Sequence, residues 1–156
     1  MKIIPYDKSF KDEFIEMNKF WISEMFVLEE EDLKLLNNVD EAIENGSEIF
    51  FAIDDENNDE VLACCMINPL PTGEWEIDKF CAKGMSTGTG AGTACLKASI
   101  DFAKDKKAEK IVIVSNRKCE AAIHLYMKLG FREVPVDFEK FPFERADIAF
   151  EQEFKY

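Results

Sequence analysis

The stretch Phe80-Cys81-Ala82-Lys83-Gly84-Met85-Ser86-Thr87-Gly88-Thr89-Gly90-Ala91-Gly92-Thr93 leads from an apolar segment, through a loop of glycine, serine and threonine, into a helical pattern. A strand, a glycine-rich turn and a helix start together make an anion site. The first helical N–H groups have no partner inside the helix, and the helix dipole adds its positive end. Glycine lets the backbone take positive φ and come close to a phosphate. Two familiar phosphate loops do not fit. A P-loop needs a second glycine five residues after Gly88, followed by lysine and serine or threonine, and Thr93 stands there instead. A dinucleotide fingerprint fits Gly88 and Gly90 but also meets Thr93 where its third glycine belongs, and it expects an early strand-helix-strand unit.

Outward from the turn, Trp75–Ala82 reads as the strand before it, and the helix after it runs to about Lys104. Its apolar stripe is Ala91, Ala94, Cys95, Ala98 and Phe102. Ile111-Val112-Ile113-Val114, inside Lys110–Ser115, is continuous and β-branched, as in a strand buried on both faces. A helix over Cys119–Leu129 stops at Gly130, which suits a left-handed cap. Phe131–Val136 and Ala146–Phe154 supply the last strands. Upstream, residues 2–6 form a short strand, and Asp7 or Ser9 caps a helix carrying Phe10, Phe14, Met17 and Trp21. Helical stretches at Asp32–Leu36 and Asp40–Glu44 precede a hairpin-like pair, Ile49–Ile53 with Val61–Ile67. The pattern is one α/β domain over residues 1–156 with a mixed sheet.

Composition narrows the function. Hydrophobic residues make up 47% of the chain, and 14 phenylalanines fill a core. No apolar run approaches the ~20 residues of a membrane span, and Met1–Tyr6 has one cation and no secretory pattern. Five cysteines without a CxxC pair, and a single histidine, His124, predict reduced thiols and no metal site, hence a cytoplasmic protein. A net charge of −13 disfavours nucleic acid and favours a cationic substrate such as an amine. The acidic runs Glu29-Glu30-Glu31-Asp32 and Asp54-Asp55-Glu56 read mostly as solvated surface.

Thr87-Gly88-Thr89-Gly90-Ala91-Gly92 resembles the acyl-CoA turn of the GNAT acetyltransferases, written Q/R-x-x-G-x-G/A. Gly90 and Gly92 hold the required places, and Thr87 stands where Gln or Arg is usual, so the cradle relies on backbone alone. Glu76-Ile77-Asp78-Lys79-Phe80-Cys81-Ala82 looks like the strand E-L-x-K-M-x-V of a bacterial, small-molecule-type subgroup. Ser115-Asn116 followed by Ala122–Phe131 is similar to S-N-x(n)-A-x-x-L-Y-x-K-L-G-F, and Phe20-Trp21 with Leu28-Glu29 and Glu144–Ile148 extend the likeness over nearly the whole chain.

The resemblance implies a GNAT fold: a mixed, mostly antiparallel sheet flanked by helices, its fourth strand splayed from its fifth. It implies acetyl-CoA as cosubstrate, without a metal, and a small-molecule or amino-acid-like amine as acceptor. Phe80, Cys81 and Ala82 would offer backbone groups to the pantetheine arm and the acyl carbonyl. Amides of Thr87, Gly88, Thr89, Gly90, Ala91, Gly92 and Thr93 would hold the pyrophosphate, and Asn116 would bond near the pantetheine. Tyr126 would protonate the departing thiolate, and Glu76 would take the proton of the amine. Trp21, Phe26 and Arg145 lie where acceptor sites are shaped, with Arg145 able to grip a carboxylate. Cys81 as a nucleophile gives way to direct attack by the amine, and His124 points away from Tyr126 on the helix. A non-catalytic acyl-CoA sensor of the same fold is the alternative. Homodimer formation through a late strand such as Ala146–Phe154 is a further expectation.

Overall fold

A computed structural model describes residues 1–83 and 89–156. The chain runs β1 (Lys2–Pro5), α1 (Lys11–Met25), α2 (Glu30–Leu36), α3 (Val39–Glu44), β2 (Glu48–Asp54), β3 (Glu60–Pro69), β4 (Glu74–Ala82), α4 (Ala91–Asp105), β5 (Lys110–Ser115), α5 (Glu120–Lys128), β6 (Arg132–Val134) and β7 (Ile148–Glu153). One 3₁₀ turn, Lys8–Phe10, leads into α1, its N-cap Asp7 accepting from the Ser9 N–H. Gly130, at φ 98°, ends α5 in the left-handed region, and the Phe131 N–H reaches back to the Tyr126 carbonyl.

All seven strands form one sheet in the order β1-β2-β3-β4-β5-β7-β6. Every pairing is antiparallel except β4 with β5. A parallel pair needs a crossover, and α4 supplies it. The mixed, mostly antiparallel sheet expected of the GNAT fold is what the chain builds. β7 lies between β5 and β6, which pairs with it over Ala149–Glu151, so the outer strands of the sheet are β1 and β6. A strand contact between copies through Ala146–Phe154 would have only the part of β7 outside that pairing to use.

The sheet has two unlike faces. One packs under α4 and α5 through residues such as Ala63, Cys65, Ile77, Phe80, Leu96, Ile111, Tyr126 and Phe150. The other packs under α1–α3 through Phe14, Leu36, Val39, Phe51, Cys64, Met66 and Cys81. The buried face of α4 is Ala91, Cys95, Leu96, Ser99, Ile100 and Ala103, rotated from the stripe read in the sequence. Ala94 and Ala98 sit on its flank, while Ser99 enters the core because its hydroxyl bonds the Cys95 carbonyl at 3.1 Å. In β5 only Ile111 and Ile113 are fully buried. Val112 and Val114 are half-buried, on the side where the sheet opens.

Candidate active site

β4 and β5 pair at only three positions, Glu74 with Lys110, Trp75 with Ile111 and Glu76 with Val112. Beyond these, β4 continues to Ala82 and β5 to Ser115 without pairing. A bulge in β4 parts them. Cys64 pairs with Cys81 and Met66 with Asp78, so Lys79 and Phe80 together oppose Cys65. Lys79 sits at φ 51°, a left-handed conformation that costs a non-glycine residue free energy and marks a constrained point. The cleft so formed is lined from both sheet faces, by Trp21, Phe26 and Arg145 on one side and Phe80, Asn116 and Tyr126 on the other.

The cosubstrate side follows from two glycines. Gly90 caps α4 at φ 80°, and a Cβ there would meet nothing within 4 Å among the described residues, leaving open space beside the helix start. At Gly92 a Cβ would come 3.0 Å from Phe80 Cζ, so glycine is what lets α4 close onto β4. Thr89 Oγ1 accepts from the Ala91 N–H at 3.3 Å. The N–H groups of Gly92 and Thr93 are the first-turn donors such a site offers. Thr87 and Gly88 lie outside the described residues.

Tyr126 is the cleft's aromatic floor. It is 5% exposed, and its ring packs on Phe80, Phe131 and Phe150 with centroids 6.1, 6.4 and 5.6 Å away. Burial first, then the nearby Cys65, Cys119 and Asp78, hold its phenol well above the ordinary tyrosine value, so it keeps its proton at neutral pH. Asn116 also lines the cleft, but its amide is engaged. Nδ2 donates to the Arg145 carbonyl at 2.6 Å, and Oδ1 accepts from the Lys118 N–H at 2.9 Å. One N–H and one lone pair remain for a ligand. His124 is exposed on the far side of α5. Cys81, 2% exposed, turns its sulfur to Cys64, 3.4 Å away on the α1 face.

The other wall carries charge that the sequence reading placed on the surface. Asp32, with none of its surface exposed, takes both guanidinium nitrogens of Arg145 at 2.6 Å and Lys79 Nζ at 3.1 Å. Arg145 also reaches Glu29 at 3.1 Å and stacks over Phe143. Lys79 touches Asp78 at 3.3 Å and lies over the same Phe143 ring. Burial would raise the Asp32 carboxyl. The Arg145 hydrogen bonds, the Lys79 charge and the Glu29 N–H outweigh it and hold the group below its usual value. Asp32 has a second task, since Glu29 and Asp32 form the reciprocal capping box that starts α2. That Glu29-x-x-Asp32 spacing was the one signal available for a residue the sequence reading missed.

Of the expected acceptor residues, Trp21, Phe26 and Arg145 all line the cleft, Trp21 and Phe26 edge to face at 6.1 Å. Arg145 already holds two carboxylates of this chain, through three hydrogen bonds. Asn18, Phe143 and Cys119 join them unannounced by any motif, as do Asp78 and Lys79 from within the quoted Glu76–Ala82 strand. Glu76 is 8% exposed and alternates with Ile77 onto the α1 face beside Asp78. Burial, then the Asp78 charge, against opposing contributions from Lys79 and Asn68, push its carboxyl up to about 8.

Known proteins share the family pattern and the fold. The model of the Acetyltransferase (GNAT) family matches residues 10–131. An acetyltransferase of the GNAT family from Staphylococcus aureus Mu50 shares the fold at 20% identity, 99% of each chain and a TM-score of 0.87. An acetyltransferase from Streptococcus agalactiae 2603 does so at 13% identity, 98% of each chain and 0.82. The yncA protein of Salmonella typhimurium, solved with acetyl-CoA, does so at 18% identity, 100% of this chain, 95% of that chain and 0.74. No curated protein matches in sequence. At these identities the structures speak for fold alone, and it is the family match that decides: the chain belongs to the GNAT family of acetyltransferases.

Proposed function

We infer that the protein moves an acetyl group from acetyl-CoA to the primary amine of a small acceptor by direct attack. The observation that carries this reading is the parting of β4 from β5 beyond Glu76, with Tyr126 facing the gap. An extended pantetheine arm fits such a gap as an extra strand, against the side of Phe80, Cys81 and Ala82 that β5 leaves without a partner strand. N–H groups at the α4 start, Gly90 to Thr93, would take the pyrophosphate, with Thr87, Gly88 and Thr89 completing the turn, and Asn116 would bond the arm. The amine nitrogen attacks the thioester carbonyl, the C–S bond breaks, and backbone N–H groups on β4 stabilise the developing oxyanion.

Two protons must move. Tyr126, kept protonated by burial, would give one to the departing thiolate, and Glu76 would take one from the ammonium, directly or through water. A carboxyl near 8 is well matched to an amine's proton at neutral pH. Cys81 favours direct attack over an acyl-enzyme, because its sulfur packs on Cys64 away from Tyr126. The test is CoA release across a panel of primary amines, beside calorimetry with acetyl-CoA, ATP and NAD. Acetyl-CoA binding with amine-dependent CoA release is the expected result. Binding of ATP or NAD in place of acetyl-CoA would sink the reading.

A further inference from the structure

The acceptor wall of the cleft has an unusual account of charge. Two cations line it, Lys79 and Arg145, and both are spent on carboxylates of this chain. Arg145 is bound by Asp32 and Glu29, Lys79 by Asp32 and Asp78. Three carboxylates against two cations leave this wall with one surplus negative charge. Asp78 carries that surplus toward the cleft, since its only ion-pair partner among the described residues is Lys79, which it shares with Asp32.

A second observation comes from α1. Asn18 is 1% exposed and lines the same cleft. Its Nδ2 donates to the Phe14 carbonyl at 2.9 Å and approaches Cys64 Sγ at 3.8 Å. A carbonyl only accepts, so Nδ2 is the atom committed to Phe14, and Oδ1, with no hydrogen bond among the described residues, is the acceptor left for a ligand of the cleft that Asn18 lines. A buried amide whose donor is committed and whose acceptor is left over beside a cavity fits an N–H group of a ligand. Trp21, Phe26 and Phe143 supply apolar ring surface that covers a carbon skeleton, although Lys79 and Arg145 already lie over Phe143 and Lys118 and Arg145 over Phe26.

We propose that the acceptor is a primary amine bearing no carboxylate, its ammonium held by Asn18 Oδ1 and the Asp78 carboxylate and its skeleton lying against Trp21, Phe26 and Phe143. This rests on the acetyl-transfer reading and narrows it, setting aside the amino-acid acceptor that a free Arg145 would have favoured. Rejection is built in: a carboxylated substrate would bring a charge into a wall whose lining cations are already paired. Lys118, its Nζ 5.7 Å from the Phe26 ring centre, is a nearby cation that works against this selection.

The experiment compares matched amines that differ only by the carboxylate: tyramine with tyrosine, tryptamine with tryptophan, cadaverine with lysine. CoA release should give a kcat/KM at least about tenfold higher for the member without a carboxylate. Asp78→Asn should raise the amine KM about tenfold and leave the acetyl-CoA KM unchanged, a split that a merely unfolded variant would not show. Equal or better use of the carboxylated members overturns the proposal and leaves acetyl transfer standing. Acetyl-CoA binding with no amine of either kind turned over overturns it as well. Failure to bind acetyl-CoA would instead strike the reading beneath it.

Discussion

The two faces of the sheet bury their residues by opposite means. Under α4 and α5 the interior is apolar, and its only fully buried polar side chain on the helix, Ser99, bonds the Cys95 carbonyl and Cys65 Sγ. Under α1 and α2 the interior holds Asn18, Asp32, Glu76 and Lys79. An apolar face asks mainly for matching volumes and tolerates loss of a single polar atom. A buried ionic face is interdependent, because each charge is kept only while its partners are present. The difference matches the proposed reaction, in which acetyl-CoA would meet backbone groups and ring faces while the acceptor, which must be told from its competitors, would meet charge.

The comparison breaks most sharply at Asp32. Asp32→Leu leaves Lys79 and Arg145 without their shared counter-charge and removes half of the α2 capping box. The expected loss is about 3–5 kcal/mol in a urea unfolding midpoint converted with an unchanged slope. A loss below about 1 kcal/mol would mean the charged face is as tolerant as the apolar one. Next in size is Tyr126→Phe, which keeps the ring contacts to Phe80, Phe131 and Phe150 and removes only the hydroxyl. With Tyr126 as the acid, kcat should fall about 100-fold while the KM for acetyl-CoA stays within about twofold. Unchanged turnover would take it off the list of catalytic residues.

Glu76 connects charge to pH. Its carboxyl is held at about 8 in the folded chain, against 4.5 for an ordinary glutamate. The folded chain thus binds this proton more tightly than the unfolded one. The stability it contributes is fully present below about pH 4.5 and is lost as pH rises through 8. Glu76→Gln, neutral throughout, should therefore gain steadily on the wild type between pH 5 and pH 9, read as a difference in Tm that widens with pH. The same variant should lose the rise in kcat/KM through pH 8 that a basic Glu76 gives the wild type. A stability difference that is flat with pH would place the Glu76 carboxyl in a far wetter setting.

How much of this was legible in the sequence depends on how local the cause is. Ile111–Val114 is β-branched and lies in β5, whose bounds, Lys110–Ser115, match the reading; Gly130 ends α5 because the left-handed cap needs it. The turn into α4 and the face of Tyr126 are likewise local, set by Gly90, Gly92 and helical spacing. The rotated face of α4 escaped because alanine, cysteine and serine give a weak hydrophobic contrast around the helix. Strand order escaped too: nothing in Ala146–Phe154 says that β6 will cover it. Asp32 is the clearest miss. It stands in an acidic run that reads as surface, and its burial depends on Arg145, 113 residues away. Lys79 is hidden for the same reason, since a lysine in a strand is buried only once its carboxylates are known.

Ser99 sharpens the comparison from its quiet side. It is fully buried on α4, its hydroxyl 3.1 Å from the Cys95 carbonyl and 3.3 Å from Cys65 Sγ. Ser99→Ala removes both contacts. Yet the Cys95 carbonyl still has its place in the helix ladder, and a thiol is a weak partner whose loss strands no strong donor. Alanine is also the better helix former, by up to about 0.5 kcal/mol, and the missing oxygen leaves too little space to weigh as a cavity. The two effects nearly cancel, so the expected change is under about 1 kcal/mol in the urea midpoint, with kcat and both KM values unmoved. A loss as large as that of Asp32→Leu would show that the α4 face also depends on a polar contact, and the division of the sheet into a tolerant and an interdependent face would fail.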